Sequence, residues 1–233
     1  MTAADAGAGG AVRNWRAFYE YEADTYAITP EDEPAFLHRR TLVRRLLPRE
    51  APARVLDVGC GDGSLAEDLR RRTGAALTMA DLSWRRVERA TGRNPGSAAA
   101  QASIYGLPWR DRSFDLVVCT DLLEHLDDPA AAMAELVRVS ARHVLVSVPN
   151  RITIEKTLCP HCGKDYFLYG HQHSFGREGL QRLAARTGAR VERFEHVIPM
   201  FECRRYKWFP PLKWLIWDHF KHSGTLGARI ARA

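Results

Sequence analysis

Hydrophobic and polar positions alternate along the chain with two different periods. Before residue 50, apolar residues recur at helical spacing in Trp15–Tyr26 and Pro34–Leu47, which predicts two amphipathic helices that cover a core or form a lid. From Arg54 onward, short β-branched runs alternate with helical patterns. In chain order, the predicted strands and helices are Val55–Val58, Leu65–Arg72, Ala76–Ala80, Ser83–Thr91, Ala98–Ala102, Phe114–Cys119, Pro129–Val139 and His143–Val148. This rhythm of βαβ units predicts an α/β fold, with a mostly parallel central sheet and helices on both faces.

The rhythm stops after Pro149 for about 25 residues that are rich in Cys, His and Tyr. It resumes with a predicted helix at Arg177–Thr187 and a predicted strand at Arg190–His196. We therefore divide the chain into three parts. They are an N-terminal helical cap (1–50), a core (51–203) that contains the Cys/His insertion (151–175), and a basic aromatic tail (204–233).

Charge and cysteine content exclude several classes of protein. The formal net charge is +6, and residues 204–233 alone hold seven Arg or Lys against Asp218, so the rest of the chain sums to zero. A surface that coats nucleic acid is therefore not indicated. Five unevenly spaced cysteines exclude a disulfide scaffold but allow a thiolate metal site. The chain has neither an apolar run of roughly 20 residues nor a signal-peptide pattern at its start, which predicts a cytoplasmic protein.

A glycine-rich turn follows the first predicted strand. Gly59-Cys60-Gly61-Asp62-Gly63 lets the backbone approach a ligand at the carboxyl end of that strand. The G-x-G-x-G spacing differs from the dinucleotide motif, and the carboxylate of Asp57 beside it suits an ammonium group better than a phosphate. Asp81, at the end of the second predicted strand, is placed to accept both hydroxyls of a ribose, although capping of the next helix is the alternative.

The segments VLDVGCGDGSLAEDL, ADLS and SIYGLPWRDRSFDLVVCTDLLEHL resemble successive motifs of class I S-adenosylmethionine-dependent methyltransferases, over residues 54 to about 197. The resemblance implies a Rossmann-like methyltransferase fold, with a last strand that pairs with Arg190–His196, and S-adenosyl-L-methionine as cofactor. It assigns cofactor contacts as follows: Asp57, Gly59 and Gly61 to the methionine end, Asp81 to the ribose, Leu82 to the adenine face, and Ser103 with Ile104 to the adenine edge. Thr120, after the fourth predicted strand, is placed near the methionine portion.

Candidate catalytic residues follow Thr120. Asp121, Glu124 and His125 converge if one helical turn forms, because residues three and four apart share a helix face. Alternatively, Glu124 and His125 belong only to the family's usual loop. The D-x-x-E-H spacing resembles ubiquinone-pathway O-methyltransferases and the enzymes that 2′-O-methylate RNA 3′ ends. The second resemblance implies that His171 completes a site for a magnesium or other divalent ion with these residues, although Asp121 replaces a glutamate.

A second metal site is predicted within the insertion. Cys159-Pro160-His161-Cys162-Gly163 forms a knuckle that directs two thiolates toward one centre, and His171 and His173 follow at metal-ligand spacing. We predict zinc on Cys159, Cys162, His171 and His173. If His171 serves the catalytic ion instead, then His173, His161 or Cys203 completes the knuckle. Two free thiols in a turn are the alternative.

The tail from Arg204 to Phe220 combines three Trp with Lys and Arg. It is interpreted first as a docked strand and helix, then as a contact for a membrane surface or a lipid-linked substrate, and last as an RNA-stacking surface. The leading functional hypothesis is O-methylation of a small hydroxylated molecule in natural-product, sugar, quinone or lipid biosynthesis, with His125 and Glu124 as catalytic residues. The alternatives are an RNA 3′-terminal 2′-O-methyltransferase, an N-methyltransferase and a non-catalytic cofactor-binding scaffold. Nucleic acid is not the expected partner.

Overall fold

A computed structural model describes residues 14–25, 34–167, 170–197 and 225–232. The helices in these ranges are α1 (Trp15–Thr25), α2 (Pro34–Leu46), α3 (Ser64–Thr73), α4 (Trp84–Arg93), α5 (Pro129–Val139) and α6 (Arg177–Arg186). The strands are β1 (Arg54–Val58), β2 (Ala76–Asp81), β3 (Ala98–Gln101), β4 (Phe114–Thr120), β5 (Ser140–Pro149), β6 (Lys156–Leu158), β7 (Asp165–Phe167), β8 (Ala189–Val197) and β9 (Thr225–Arg232). A 3₁₀ turn, Leu123–His125, follows β4.

The central sheet has seven strands in the order β3-β2-β1-β4-β5-β9-β8. The first five run parallel, and β9 lies antiparallel between β5 and β8. The predicted α/β fold with a mostly parallel sheet and helices on both faces is therefore confirmed. Val58, the last residue of β1, pairs with Ala80 in β2 and with Cys119 in β4, so the carboxyl ends of these three strands meet at one edge. The strand order reverses at β1, which is where open α/β sheets bind ligands.

Helices cover both faces of the sheet because each contributes one apolar stripe. On one face, Met133 and Leu136 of α5 and Leu180 of α6 are fully buried. On the other face, Leu42 of α2 is equally buried and lies directly on the backbone of β9. A β-carbon added to Gly227 would lie 2.2 Å from Leu42 Cδ2, so only glycine allows this close approach.

The predicted boundaries between cap, core and tail do not coincide with the limits of the central sheet and the helices packed on it. The segment predicted as a tail, 204–233, contains β9, which is an internal strand of the central sheet. Likewise α2, assigned to the N-terminal cap, buries its apolar side against β8 and β9. The strand expected to pair with Arg190–His196 is β9, since it pairs with β8 along its length. Residues 204–220 lie outside the described residues, so their three interpretations stay predictions.

The inserted segment contains a small hairpin that is separate from the central sheet. Strands β6 and β7 pair antiparallel, with Lys156 opposite Phe167. Asn150 forms a bridge with Phe175, so both ends of the insertion are joined where β5 ends. Within the described ranges, no helix is long and apolar enough to cross a bilayer.

Candidate active site

The glycine-rich turn predicted from the sequence lies at the carboxyl end of β1. Gly59, Gly61 and Gly63 all have positive φ, at 74°, 55° and 80°, a region that side chains rarely enter. The backbone N–H groups of Gly59 and Cys60 both donate to the carbonyl of Ala80, at 2.8 and 3.1 Å. The turn is thereby fastened to the end of β2.

Asp57 lies beneath this turn and is 1% exposed. Neither carboxylate oxygen has a hydrogen-bond partner among the described residues. Burial raises the pKa of Asp57 to about 7, and the charge of Asp81 adds to the effect. A buried, unpaired carboxyl group is costly to the fold, which is characteristic of a residue that serves a ligand. A cationic group bound beside Asp57 would supply the missing partner.

Asp81 lies at the end of β2, and its carboxylate is held by two backbone donors. Gly61 N–H donates to Oδ2 and Ser83 N–H donates to Oδ1, each at 3.0 Å. Burial raises the pKa of Asp81, while the nearby guanidinium of Arg86 acts against this shift. Because each carboxylate oxygen has two lone pairs, both oxygens keep capacity to accept a further hydroxyl. Asp81 is 6% exposed, at the edge where β1 and β2 end.

The remaining cofactor candidates surround the same edge. Leu82 is half-buried, and Thr120, the last residue of β4, is 9% exposed. Ser103 is exposed, and its hydroxyl accepts the N–H of Tyr105 at 3.3 Å. Ile104 is buried in the core. The cofactor contacts assigned to these four residues stay predictions.

Three of the predicted acceptor-side residues form one cluster. Ligand atoms of Glu124, His125 and His171 all lie within 4.8 Å of one another. His125 Nε2 is 3.9 Å from Glu124 Oε1, and the rings of His125 and His171 have centroids 4.8 Å apart. Glu124 is 1% exposed, and the described residues provide no hydrogen-bond partner for either carboxylate oxygen.

The end of the insertion is bound to this turn through backbone groups. Glu124 carbonyl accepts the N–H of Gln172 at 2.7 Å and that of His173 at 3.1 Å. Gln172 Nε2 also donates to the carbonyl of His125 at 2.7 Å. These contacts join segments 47 residues apart in sequence and place His171 beside His125.

The cluster is electrostatically suited to hold a cation. Burial raises the pKa of Glu124 well above its usual value, and the charge of Asp121 adds to this. Burial also lowers the pKa of His125 to about 4, helped by the proximity of His171, and burial lowers the pKa of His171. Both imidazoles are therefore neutral near pH 7, with lone pairs available. A bound cation favours loss of the proton from Glu124, and two neutral imidazoles with one carboxylate are a common ligand set for transition metals.

Asp121 lies near the cluster but has other partners. Ser147 Oγ donates to Asp121 Oδ1 at 2.8 Å, and Arg39 Nη1 is 3.6 Å from Oδ2. Asp121 also has a φ of 49°, and its N–H donates to the carbonyl of Ser147. It is not part of the three-residue group. The predicted fourth ligand therefore contributes charge near the cluster, while its carboxylate is held by Ser147 and Arg39.

The four-ligand site predicted for Cys159, Cys162, His171 and His173 is not assembled. In the parts of the chain that the structure describes, the two cysteines join no group of three or more potential ligands. His171 belongs to the acceptor cluster instead. His173 Nε2 lies 2.8 Å from the carbonyl of Leu126, so the ring of His173 is held at the acceptor turn.

The cysteine knuckle itself has a defined turn. Gly163 N–H donates to the carbonyl of Cys159, and Cys159 N–H donates to the carbonyl of Lys164, both at 2.9 Å. Backbone N–H groups of Cys162 and His161 also face the thiol of Cys159 and lower its pKa. Both cysteines are free thiols, and Cys162 is exposed. Cys203, the alternative ligand, lies outside the described residues.

Sequence reasoning missed the contribution of α1. Glu20 accepts hydrogen bonds from Ser83 Oγ at 2.9 Å and from Trp84 N–H at 2.7 Å. Trp15 Nε1 donates to Asp127 Oδ2 at 3.0 Å. The amphipathic pattern predicted a helix that acts as a cover, and no local signal singles out Glu20, which lies 63 residues before Ser83.

Comparisons with known proteins identify the family. A family model described as a methyltransferase domain matches residues 33–193. A probable S-adenosylmethionine-dependent methyltransferase of Mycobacterium tuberculosis is 35% identical over 120 residues, which cover 51% of this chain and 43% of that protein. A ubiquinone biosynthesis O-methyltransferase of Alkalilimnicola ehrlichii is 40% identical over 106 residues, covering 42% of each chain. The chain thus belongs to the class I S-adenosylmethionine-dependent methyltransferase family.

The fold is also similar to that of solved methyltransferase structures. The crystal structure of an S-adenosylmethionine-dependent methyltransferase from Mesorhizobium loti superposes with a TM-score of 0.64 at 18% identity, covering 87% of this chain and all of that one. At this identity the likeness concerns the fold alone. The chain matches less than half the length of the curated relatives named above.

Proposed function

We propose that the protein transfers the methyl group of S-adenosylmethionine to a hydroxyl of a small molecule. One observation carries the proposal. At a single edge of the sheet, the buried Asp57, which has no hydrogen-bond partner among the described residues, lies under a glycine turn beside Asp81. One strand away, the buried Glu124 and the partly buried His125 and His171 form a second cluster. A cofactor half and an acceptor half are thus brought together where α/β sheets bind ligands.

The cofactor half fits S-adenosylmethionine. Asp57 offers an unpaired buried carboxylate to the ammonium of the methionine portion, directly or through water. Gly59 and Gly61 let the backbone approach it without a side chain. Asp81 keeps lone pairs for two ribose hydroxyls. When bound, the cofactor supplies an activated methyl group on a sulfonium, and these residues bind and orient it.

The acceptor half favours a bound divalent ion over a lone general base. An imidazole whose pKa is lowered to about 4 is a weak base for an alcohol near neutral pH. Glu124, His125 and His171 would together hold an ion, which lowers the pKa of an adjacent hydroxyl. The ion would also provide a partner for the buried carboxylate of Glu124. A hydroxylated acceptor, such as a vicinal diol or catechol, suits this arrangement.

Oxygen is the favoured acceptor atom for a second reason. The relatives that share 40% identity over the matched region include proteins named ubiquinone biosynthesis O-methyltransferases. The region they match is 106 residues long, so the acceptor they are named for is not transferred to this chain. From these relatives we infer only that the acceptor atom is oxygen.

Binding and transfer are tested in one preparation. We expect S-adenosylhomocysteine to bind at about one equivalent per chain by calorimetry, and labelled methyl to pass to catechols or sugar diols rather than to matched amines. Chelation should abolish transfer but not S-adenosylhomocysteine binding, and added Mg²⁺, Mn²⁺ or Zn²⁺ should restore it. Absence of binding would refute the proposal, and transfer to amines alone would replace oxygen by nitrogen.

We propose zinc at the knuckle, on Cys159 and Cys162, as a site separate from the acceptor cluster and completed by His161 or Cys203. Cys159 and Cys162 form a turn that directs backbone N–H groups at the Cys159 thiol, an environment that favours thiolate. We expect about one zinc per chain at this site in protein prepared without chelators, and its loss in the double variant Cys159→Ser, Cys162→Ser by elemental analysis. Cys119→Ala, which removes a core thiol, is the control and should retain the metal. Metal content unchanged in the double variant would disprove this site.

A further inference from the structure

The carboxylate of Glu20 joins α1 to the start of α4. It accepts hydrogen bonds from Ser83 Oγ at 2.9 Å, from Trp84 N–H at 2.7 Å and from Arg85 N–H at 3.2 Å. The last two donors belong to the first turn of α4, where free N–H groups and the helix dipole favour an anion. Glu20 therefore caps this helix from a different segment of the chain.

The Glu20 carboxylate is linked through one intervening residue to Asp81 and to Leu82, the predicted ribose and adenine contacts. Ser83, which donates to Glu20 through its hydroxyl, donates to Asp81 Oδ1 through its backbone N–H. Gln101 Nε2 donates both to Glu20 Oε1 at 3.3 Å and to the carbonyl of Leu82 at 2.9 Å. Displacement of Glu20 would therefore disturb the end of β2, the end of β3 and the segment between β2 and α4.

The inner side of α1 also reaches the acceptor half. Trp15 Nε1 donates to Asp127 Oδ2, in the segment that follows the acceptor cluster. The ring of Tyr19 stacks on Trp15, with centroids 6.1 Å apart. Burial raises the pKa of Tyr19 to about 12, and the charge of Glu22 adds to this effect. One helix thus contacts both the segment after β2 and the segment after the acceptor cluster.

We propose that Glu20 is a positioning residue for the ribose and adenine end of the cofactor, and that cofactor binding in turn holds α1 in place against the start of α4. This inference rests on the proposed function, since it concerns the cofactor half of that site. Through Ser83 and Gln101, Glu20 keeps Asp81 and Leu82 in the geometry that the cofactor needs. By linkage, a ligand that stabilises this geometry also stabilises the contact with α1.

The experiment compares Glu20→Ala with Asp24→Asn. Asp24 also pairs α1 with α4, through Arg85 and Arg89, and these ion pairs involve neither Ser83 nor Gln101, which link Glu20 to the cofactor segments. We expect the Kd for S-adenosylhomocysteine to rise about tenfold in Glu20→Ala, which loses several charge-assisted hydrogen bonds, and to stay within about twofold in Asp24→Asn. Hydrogen exchange should show that S-adenosylhomocysteine protects residues 15–25 in the wild type and in Asp24→Asn, but much less in Glu20→Ala.

A purely structural cap predicts a different pattern. In that case Glu20→Ala lowers the unfolding midpoint, while the Kd and the ligand-induced protection of α1 stay at wild-type values, which would overturn the inference. If Glu20→Ala does not fold, Glu20→Gln keeps the side-chain length and one acceptor oxygen, and its Kd should rise by a smaller factor. A wild-type Kd in that variant also counts against the inference. Failure of the wild type to bind S-adenosylhomocysteine refutes the proposed function instead.

Discussion

Replacing Asp57 by asparagine is expected to weaken S-adenosylmethionine binding by about 100-fold near pH 7 and to remove most of its pH dependence. The buried carboxylate loses its attraction for the ligand's ammonium, and each charged hydrogen bond contributes about 1.5 to 3 kcal/mol. Titration calorimetry of the wild type and of Asp57→Asn, at pH values from about 5.5 to about 7, measures both effects.

The sign of the pH dependence follows from the free protein. Burial raises the pKa of Asp57 to about 7, and a bound cation lowers it again by favouring the charged form. Binding therefore releases a proton below about pH 7, and wild-type affinity falls by up to tenfold for each pH unit below that value. An affinity that is constant over this range would show that the carboxylate of Asp57 does not face the ammonium.

Asp81→Ala is the matched control for this prediction. It removes the carboxylate that accepts the ribose hydroxyls and should weaken binding strongly. Because Asp57 is unchanged in this variant, the pH dependence of binding should remain. Because the charge of Asp81 contributes to the raised pKa of Asp57, the loss of affinity should begin at a lower pH in this variant. A variant that binds as tightly as the wild type would remove Asp81 from the cofactor site.

Most of the fold could be predicted from local pattern because the buried strands of the parallel sheet are short and apolar. The strand predicted at Val55–Val58 is observed at Arg54–Val58, and the helix predicted at Pro129–Val139 has those bounds. Strand β9 is harder to place, since its segment contains Gly227, Arg229 and Arg232. Its place in the sheet depends on pairing with β5 and β8, and on close packing against α2, which a local pattern does not contain.

The candidate site likewise contains residues whose place could be predicted from the sequence and residues whose place could not. Asp57 and Asp81 lie at the carboxyl ends of adjacent strands, so their spacing in sequence predicts their place in the fold. Glu20 reaches the same edge only through tertiary contacts. The spacing of His171 and His173 from the knuckle is typical of zinc ligands. In the structure, however, the backbone N–H groups of Gln172 and His173 donate to the Glu124 carbonyl, which places both histidines at the acceptor turn. Ligand spacing alone could not distinguish these two destinations.

Replacing His125 by alanine is expected to lower turnover by about 100- to 10,000-fold while the Kd for S-adenosylhomocysteine changes by less than about threefold. His125 lies with Glu124 and His171 in the acceptor half, so its loss affects the acceptor's proton and position rather than the cofactor. Single-turnover transfer of labelled methyl, measured beside calorimetric titration, separates the two quantities.

Two further variants decide how His125 acts. If the three residues hold an ion, His171→Ala should lower turnover about as much as His125→Ala, and both should lose metal bound at this cluster, because one ligand set is broken in either case. If His125 acts alone, His171→Ala should keep most of the activity and chelation should have no effect. His143→Ala is the control, since His143 pairs with Glu192 near the opposite end of β5 and should leave turnover unchanged. Full turnover in both His125→Ala and His171→Ala would mean that the cluster does not act on the acceptor, and only binding of the cofactor would remain assigned to this edge of the sheet.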